Sequence, residues 1–215
     1  MQLSRSETAV RKEYNRLAPI YDLRWYNYIN KSLSFLVDFA EIPSQISILD
    51  LACGTGELAK LLLTNNSQQQ ITGVDISEAM LAIAQNKLQV YPNIKLHNAS
   101  VISLPCDSEF FDLVVCANAF HYFEFPQLVL TEIKRVIKPD GRVIILDWCR
   151  DYLFCKIFDR LFKTIDPAYQ QCHTQTELNQ LLVAAGFDVI KNNKVRFGII
   201  WELMAVEAIL NKIRT

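Results

Sequence analysis

The sequence predicts an α/β fold built on a doubly wound sheet, and three observations carry that expectation. Residues 46–51 form a short apolar run that meets Gly54 and Gly56, after which Leu58, Leu61 and Leu62 recur at helical spacing, so the hydrophobic period switches at the glycines. A second apolar run, residues 71–74, ends on Asp75, and Ser77-Glu78 then supply an N-cap and a first-turn acid for the next helix. Further strand-like runs at 94–98, 111–117 and 143–146 alternate with helical stripes, the pattern of parallel strands joined by crossover helices.

The stretch Ile48-Leu49-Asp50-Leu51-Ala52-Cys53-Gly54-Thr55-Gly56-Glu57-Leu58-Ala59 is the first candidate site. Glycine at a strand-to-helix turn lets a ligand approach the backbone, and the free N–H groups of the helix start favour negative charge. Gly54 to Ala59 also satisfies the loose dinucleotide pattern G-x-G-x-x-A, with Asp75 nineteen residues beyond Gly56. Asp50 argues against that reading. A carboxylate at the tip of the first strand repels a pyrophosphate in a partly dry cleft and suits an ammonium. Asp75, at the end of the second strand, accepts ribose hydroxyl protons from either kind of nucleoside.

Asp50 to Gly56 resembles motif I of the class I S-adenosylmethionine-dependent methyltransferases, an acid followed by glycines at alternate positions. Ala52 stands where the family has its first glycine, a mild change unless the backbone there needs a positive φ. Three further stretches extend the resemblance: Ala99-Ser100-Val101-Ile102-Ser103-Leu104-Pro105 is similar to the family's G-D-A-x-x-L-P, residues 107–115 to its loop and fourth strand, and Ile137-Lys138-Pro139-Asp140-Gly141-Arg142 to its L-K-P-G-G turn. Ala18-Pro19-Ile20-Tyr21-Asp22 resembles the A-x-x-Y-D entry segment of the small-molecule members, such as the quinone-biosynthesis methyltransferases.

The resemblance implies a Rossmann-like, seven-stranded sheet, mostly parallel with one antiparallel strand near the C-terminus. It implies S-adenosyl-L-methionine as cofactor and S-adenosyl-L-homocysteine as product. It places Asp50 near the methionyl amino group, Ala52, Cys53, Gly54 and Gly56 against the methionyl part, and Asp75, Ile76 and Met80 around the ribose and adenine. Val101 and Ala117 complete the cofactor contacts, with Tyr21 folding over them. Ser100 occupies the position of the aspartate that accepts the adenine amino group; a hydroxyl accepts the same bond more weakly, and a shifted register puts Asn98 there instead.

Substrate contacts are sought at the ends of strands four and five, because ligands in open α/β sheets lie beyond the carboxyl ends of the strands. His121 follows the fourth strand and is either a packed, structurally bonded ring or a base for a hydroxyl or protonated amine. Tyr14, Tyr122 and Trp148 are the candidate acceptor contacts, against the alternative that they only pack. A sulfonium is already an activated donor, so holding the acceptor in line behind the methyl is the protein's main task.

With 215 residues and 51% hydrophobic composition, one domain is expected, divided into an N-terminal helical lid (1–45), a cofactor-binding core (46–148), a helical substrate insert (149–186) and C-terminal strands (187–215). Helices are expected over 7–18, 57–63, 78–88, 127–138 and 151–165, and Thr174-Gln175-Thr176-Glu177 is a capping box opening another that ends at Gly186. The last strands are expected at 187–190 and 195–207. A net charge of −1 without a basic run argues against nucleic acid, and six cysteines without a C-x-x-C pair argue for reduced thiols and against a metal. No apolar run approaches a membrane span, and a cytoplasmic protein is expected. The function expected is methyl transfer to a small-molecule or lipid-like acceptor, the alternatives being a non-catalytic cofactor-binding partner subunit or an NAD-dependent oxidoreductase.

Overall fold

The computed structural model describes residues 3–198 and 200–211. Strands β1 (Ser47–Leu51), β2 (Gln70–Asp75), β3 (Ile94–Asn98), β4 (Phe111–Ala117), β5 (Ile137–Trp148), β6 (Phe187–Phe197) and β7 (Trp201–Leu210) form one seven-stranded sheet in the order β3-β2-β1-β4-β5-β7-β6. β1 to β5 pair in parallel, and β7 runs antiparallel to both β5 and β6. The order reverses between β1 and β4, which opens a crevice at their carboxyl ends.

Alternation along the central strands divides the core between the two faces. Leu49, Leu51, Val114, Cys116, Val143 and Ile145 pack on one side with helices α6 (Pro126–Val136) and α8 (Gln175–Ala184). Ile48, Leu113, Val115, Ile144 and Leu146 pack on the other, with α3 (Tyr26–Ala40), α4 (Glu57–Asn65) and α5 (Glu78–Leu88). Helix α1 (Arg5–Leu17) opens on a capping box between Ser4 and Glu7, continues through a 3-10 turn at Ala18–Ile20 where Pro19 removes a donor, and leads into the single turn α2 (Tyr21–Arg24). α7 (Leu153–Ile165) lies between β5 and α8.

Two expectations differ from the structure. Pro139-Asp140-Gly141 does not separate a helix from a strand: β5 already pairs at Ile137 with Phe111, and the stretch is absorbed as a register shift before Leu113 meets Arg142. The polar stretch Lys191-Asn192-Asn193 does not interrupt β6 either, because β6 is the outermost strand and one of its edges faces solvent; the break falls at Gly198, φ +70°, so that Val195 belongs to β6 and β7 starts at Trp201.

Candidate functional site

The loop after β1 is pinned to β2. The Cys53 N–H donates to the Val74 carbonyl at 3.1 Å, and the Gly54 N–H donates to Asp75 Oδ2 at 2.8 Å, while Asp75 Oδ1 accepts from the Ser77 N–H at 2.8 Å. Asp75 therefore holds the glycine turn and the start of α5 together, with spare lone pairs on both oxygens. Burial pushes its carboxyl pKa up, only partly offset by these N–H bonds.

Ala52 has φ +58°, so the backbone does adopt the left-handed region there, and the change from the family's glycine carries strain. Gly54 has φ +53° and open space where a Cβ would stand, whereas at Gly56, φ +77°, a Cβ would come within 2.9 Å of Leu88 Cδ1. The first leaves room for a ligand; the second lets α4 approach α5.

Beside this loop lies a cleft lined by Ala52, Gly54, Asp75, Ile76, Met80, Val101 and Ala117 from the sheet side. Glu7, Val10, Tyr14 and Tyr21 close it from the N-terminal segment, and Tyr122, Phe123 and Phe125 from beyond β4. Asp50, Cys53, Gly56 and Ser100 do not line it directly. Asp50 is buried beneath the loop, its Oδ2 without a hydrogen-bond partner among the described residues, and burial, followed by the neighbouring Asp75 charge, pushes its pKa up to about 7. An orphaned buried acceptor and a second acid beside an open glycine turn fit the ammonium and ribose of S-adenosylmethionine and oppose a diphosphate. Asn98 spends its Nδ2 on the carbonyls of Asp75 and Ile76, at 3.1 and 2.9 Å.

A second cavity shares Tyr14, Tyr21, Asn118 and Tyr122 with the first and continues past Tyr28, His121, Trp148, Phe158, Phe162, Tyr169 and Cys172. Tyr14 meets Tyr122 edge to face with centroids 5.5 Å apart and Tyr21 at 5.9 Å, so aromatic rings form the partition. Asn118, in the left-handed region at φ +58°, is fixed there by the Tyr28 hydroxyl, which donates to Oδ1 at 2.7 Å, and by Nδ2, which donates to Ser32 Oγ at 3.0 Å. His121 is buried on this second cavity with Nδ1 2.6 Å from Asp147 Oδ1. Burial pushes the imidazole pKa down, but the charge and hydrogen bond of Asp147 outweigh it and the pKa is raised overall.

Sequence reasoning overlooked Glu7, Asn118 and the pairing of Asp147 with His121, whereas the aromatic residues of α7 fall within the helical substrate insert expected at 149–186. The Ser4–Glu7 capping box was a legible helix start, but nothing local says what that helix covers. Asp147 did carry a signal, an acid at a strand end on the crevice side.

Residues 49–145 match the methyltransferase domain family. The chain is 27% identical over 226 residues to the 2-phytyl-1,4-naphtoquinone methyltransferase of Thermosynechococcus vestitus, covering 89% of this chain and 96% of that one. It is 33% identical over 145 residues to the demethylmenaquinone methyltransferase of Thermus thermophilus, covering 63% of this chain and 64% of that one. In fold it is similar to magnesium protoporphyrin IX methyltransferase from Synechocystis, solved with bound S-adenosylhomocysteine, with a TM-score of 0.73 at 17% identity over 96% of this chain and 100% of the other. The matched stretch contains the glycine turn, Asp75 and the end of β4, so the cofactor cleft lies in a methyltransferase domain that uses S-adenosylmethionine.

Proposed function

We propose that this enzyme methylates a hydroxylated aromatic ring of the quinone class carrying an apolar chain. The observation that carries the reading is the His121–Asp147 pair facing an aromatic cavity that shares its tyrosine wall with the cofactor cleft. The names of the quinone-methylating relatives support the same acceptor class. Of the described residues, 3–45 act as a lid over the cofactor, 46–148 hold it, 149–186 build the acceptor cavity and the strands β6 and β7 close the sheet.

S-adenosylmethionine supplies an activated methyl group when bound. Asp50 and the backbone from Ala52 to Gly56 hold its methionyl end, Asp75 takes the ribose hydroxyls, and Ile76, Met80, Val101 and Ala117 pack the nucleoside. Tyr21 covers the cleft. Tyr14, Tyr122 and Trp148 orient the acceptor ring and exclude water from it. Asp147 keeps the proton on Nδ1, which leaves Nε2 of His121 to take the acceptor hydroxyl proton and render the ring nucleophilic. The apolar chain suits α7, whose Phe158 and Phe162 line the cavity while Leu153, Ile157 and Leu161 are exposed on the same helix. Among the described residues no helix is long and apolar enough to cross a membrane.

Purified protein supplied with methyl-labelled S-adenosylmethionine and a reduced, chain-bearing naphthoquinol tests the reading. Label incorporated into the naphthoquinol in preference to catecholamine or carboxylate acceptors is expected. Incorporation only into amines or carboxylates overturns the acceptor assignment while leaving the cofactor assignment intact.

A further inference from the structure

The adenine end of the cleft contains a carboxylate that does not come from the sheet. Ser100 stands where the resemblance puts the aspartate that accepts the adenine amino group, yet it does not line the cleft, and its hydroxyl is engaged: it donates to Glu7 Oε1, and Oγ accepts from the Ile102 N–H at 3.3 Å. Glu7, carried on α1, lines the cleft together with Ile76, Val101 and Ile102. The other Glu7 oxygen accepts from the Ser4 N–H at 2.9 Å, which fixes the rotamer through the capping box.

Helix α1 is itself held in place over this end of the cleft. Arg11 makes two bonds of 2.8 Å to Glu78 at the start of α5, and Asn15 Oδ1 accepts from Ser77 Oγ at 2.6 Å. The second acid at this rim, Glu124, is exposed and bonded to Ser4 Oγ at 2.9 Å. Glu7 is thus the half-buried carboxylate positioned over the residues that flank the nucleobase.

We infer that Glu7 replaces the missing strand-end aspartate as acceptor of the adenine 6-amino group, with Ser100 as the strut that aims it. A carboxylate oxygen that already accepts one hydrogen bond has a lone pair left for an amino donor, and the charge strengthens the bond relative to a hydroxyl acceptor. The carboxylate also repels a carbonyl at the same ring position, so Glu7 confers preference for adenine over hypoxanthine. Helix α1 thereby becomes part of the cofactor site.

Calorimetric titration of the full chain with S-adenosylhomocysteine and with its deaminated analogue S-inosylhomocysteine tests this without any turnover. The unmodified protein is expected to favour the adenosyl ligand by at least about tenfold, the scale of one charge-assisted hydrogen bond. Glu7→Gln retains the capping box, and it should erase most of that preference; in Glu7→Ala, adding Ser100→Asp should restore it. Equal affinities for both ligands in the unmodified protein, or equal weakening of both in Glu7→Gln, overturns the assignment. Failure of the adenosyl ligand to bind any of these proteins would instead fault the cofactor assignment itself.

Discussion

Asp147 grips His121 at two points: Oδ2 accepts the His121 backbone N–H at 2.7 Å while Oδ1 lies 2.6 Å from the ring Nδ1. Oδ1 also accepts the Trp148 N–H at 2.8 Å, so one buried carboxylate sets the position of the loop after β4 and the tautomer of its imidazole together.

If that imidazole is the base, His121→Asn should lower kcat by about 100-fold or more, the usual scale of general-base catalysis, with S-adenosylhomocysteine affinity unchanged. Because the base must be neutral and its pKa is raised above 6.5, the rate should fall as pH drops through that raised value. A flat pH–rate profile in the unmodified enzyme would remove His121 from the mechanism.

Asp147→Asn should lose both activity and stability. A histidine whose folded pKa is raised contributes stability fully below its unfolded pKa and loses it as pH rises through the folded value. The stability difference between Asp147→Asn and the unmodified protein should therefore be larger at pH 6 than at pH 9 in urea titrations.

Asp50 acts in the same sense as His121 but over a lower pH window. Its pKa is pushed up to about 7 in the folded, unliganded protein, so the folded state binds more protons than the unfolded chain between the ordinary carboxylate range and that value. Unliganded stability should decline with rising pH across this window through Asp50. S-adenosylhomocysteine binding near pH 7 should release protons, measurable as a dependence of calorimetric enthalpy on buffer ionisation heat, and Asp50→Asn should abolish that dependence.

Ala52→Gly should stabilise the fold. A residue with a Cβ in the left-handed region costs roughly 1–2 kcal/mol, part of which is returned to the unfolded chain as glycine entropy. A rise in Tm of about 2 °C by calorimetry is expected, whereas Gly56→Ala should lower it because the new Cβ would meet Leu88 and Ala84.

The fold was legible where local chemistry and sheet position agree. Leu49, Val114 and Ile145 are apolar because their strands are covered on both faces, and runs of that kind read as strands without further help. Lys191 and Asn192 misled because an edge strand tolerates polar residues, and Pro139 because a parallel pair can absorb a local shift of register. At the site, the glycine turn after β1 and the acid ending β2 were legible as a strand-to-helix switch and a strand-end carboxylate, while the contacts expected of their neighbours came with the family resemblance. Glu7 and Asp147 act across 93 and 26 residues of chain, on Ser100 and His121, and no periodicity encodes such a meeting.

Tyr14, Tyr21, Asn118 and Tyr122 face two chambers at once. An occupant that orders these side chains from one side spares the occupant of the other that part of its ordering entropy, so each should tighten the other by the same factor. Reciprocity of this kind favours ternary assembly over either binary complex, and it loosens the nucleoside once the methylated product has left.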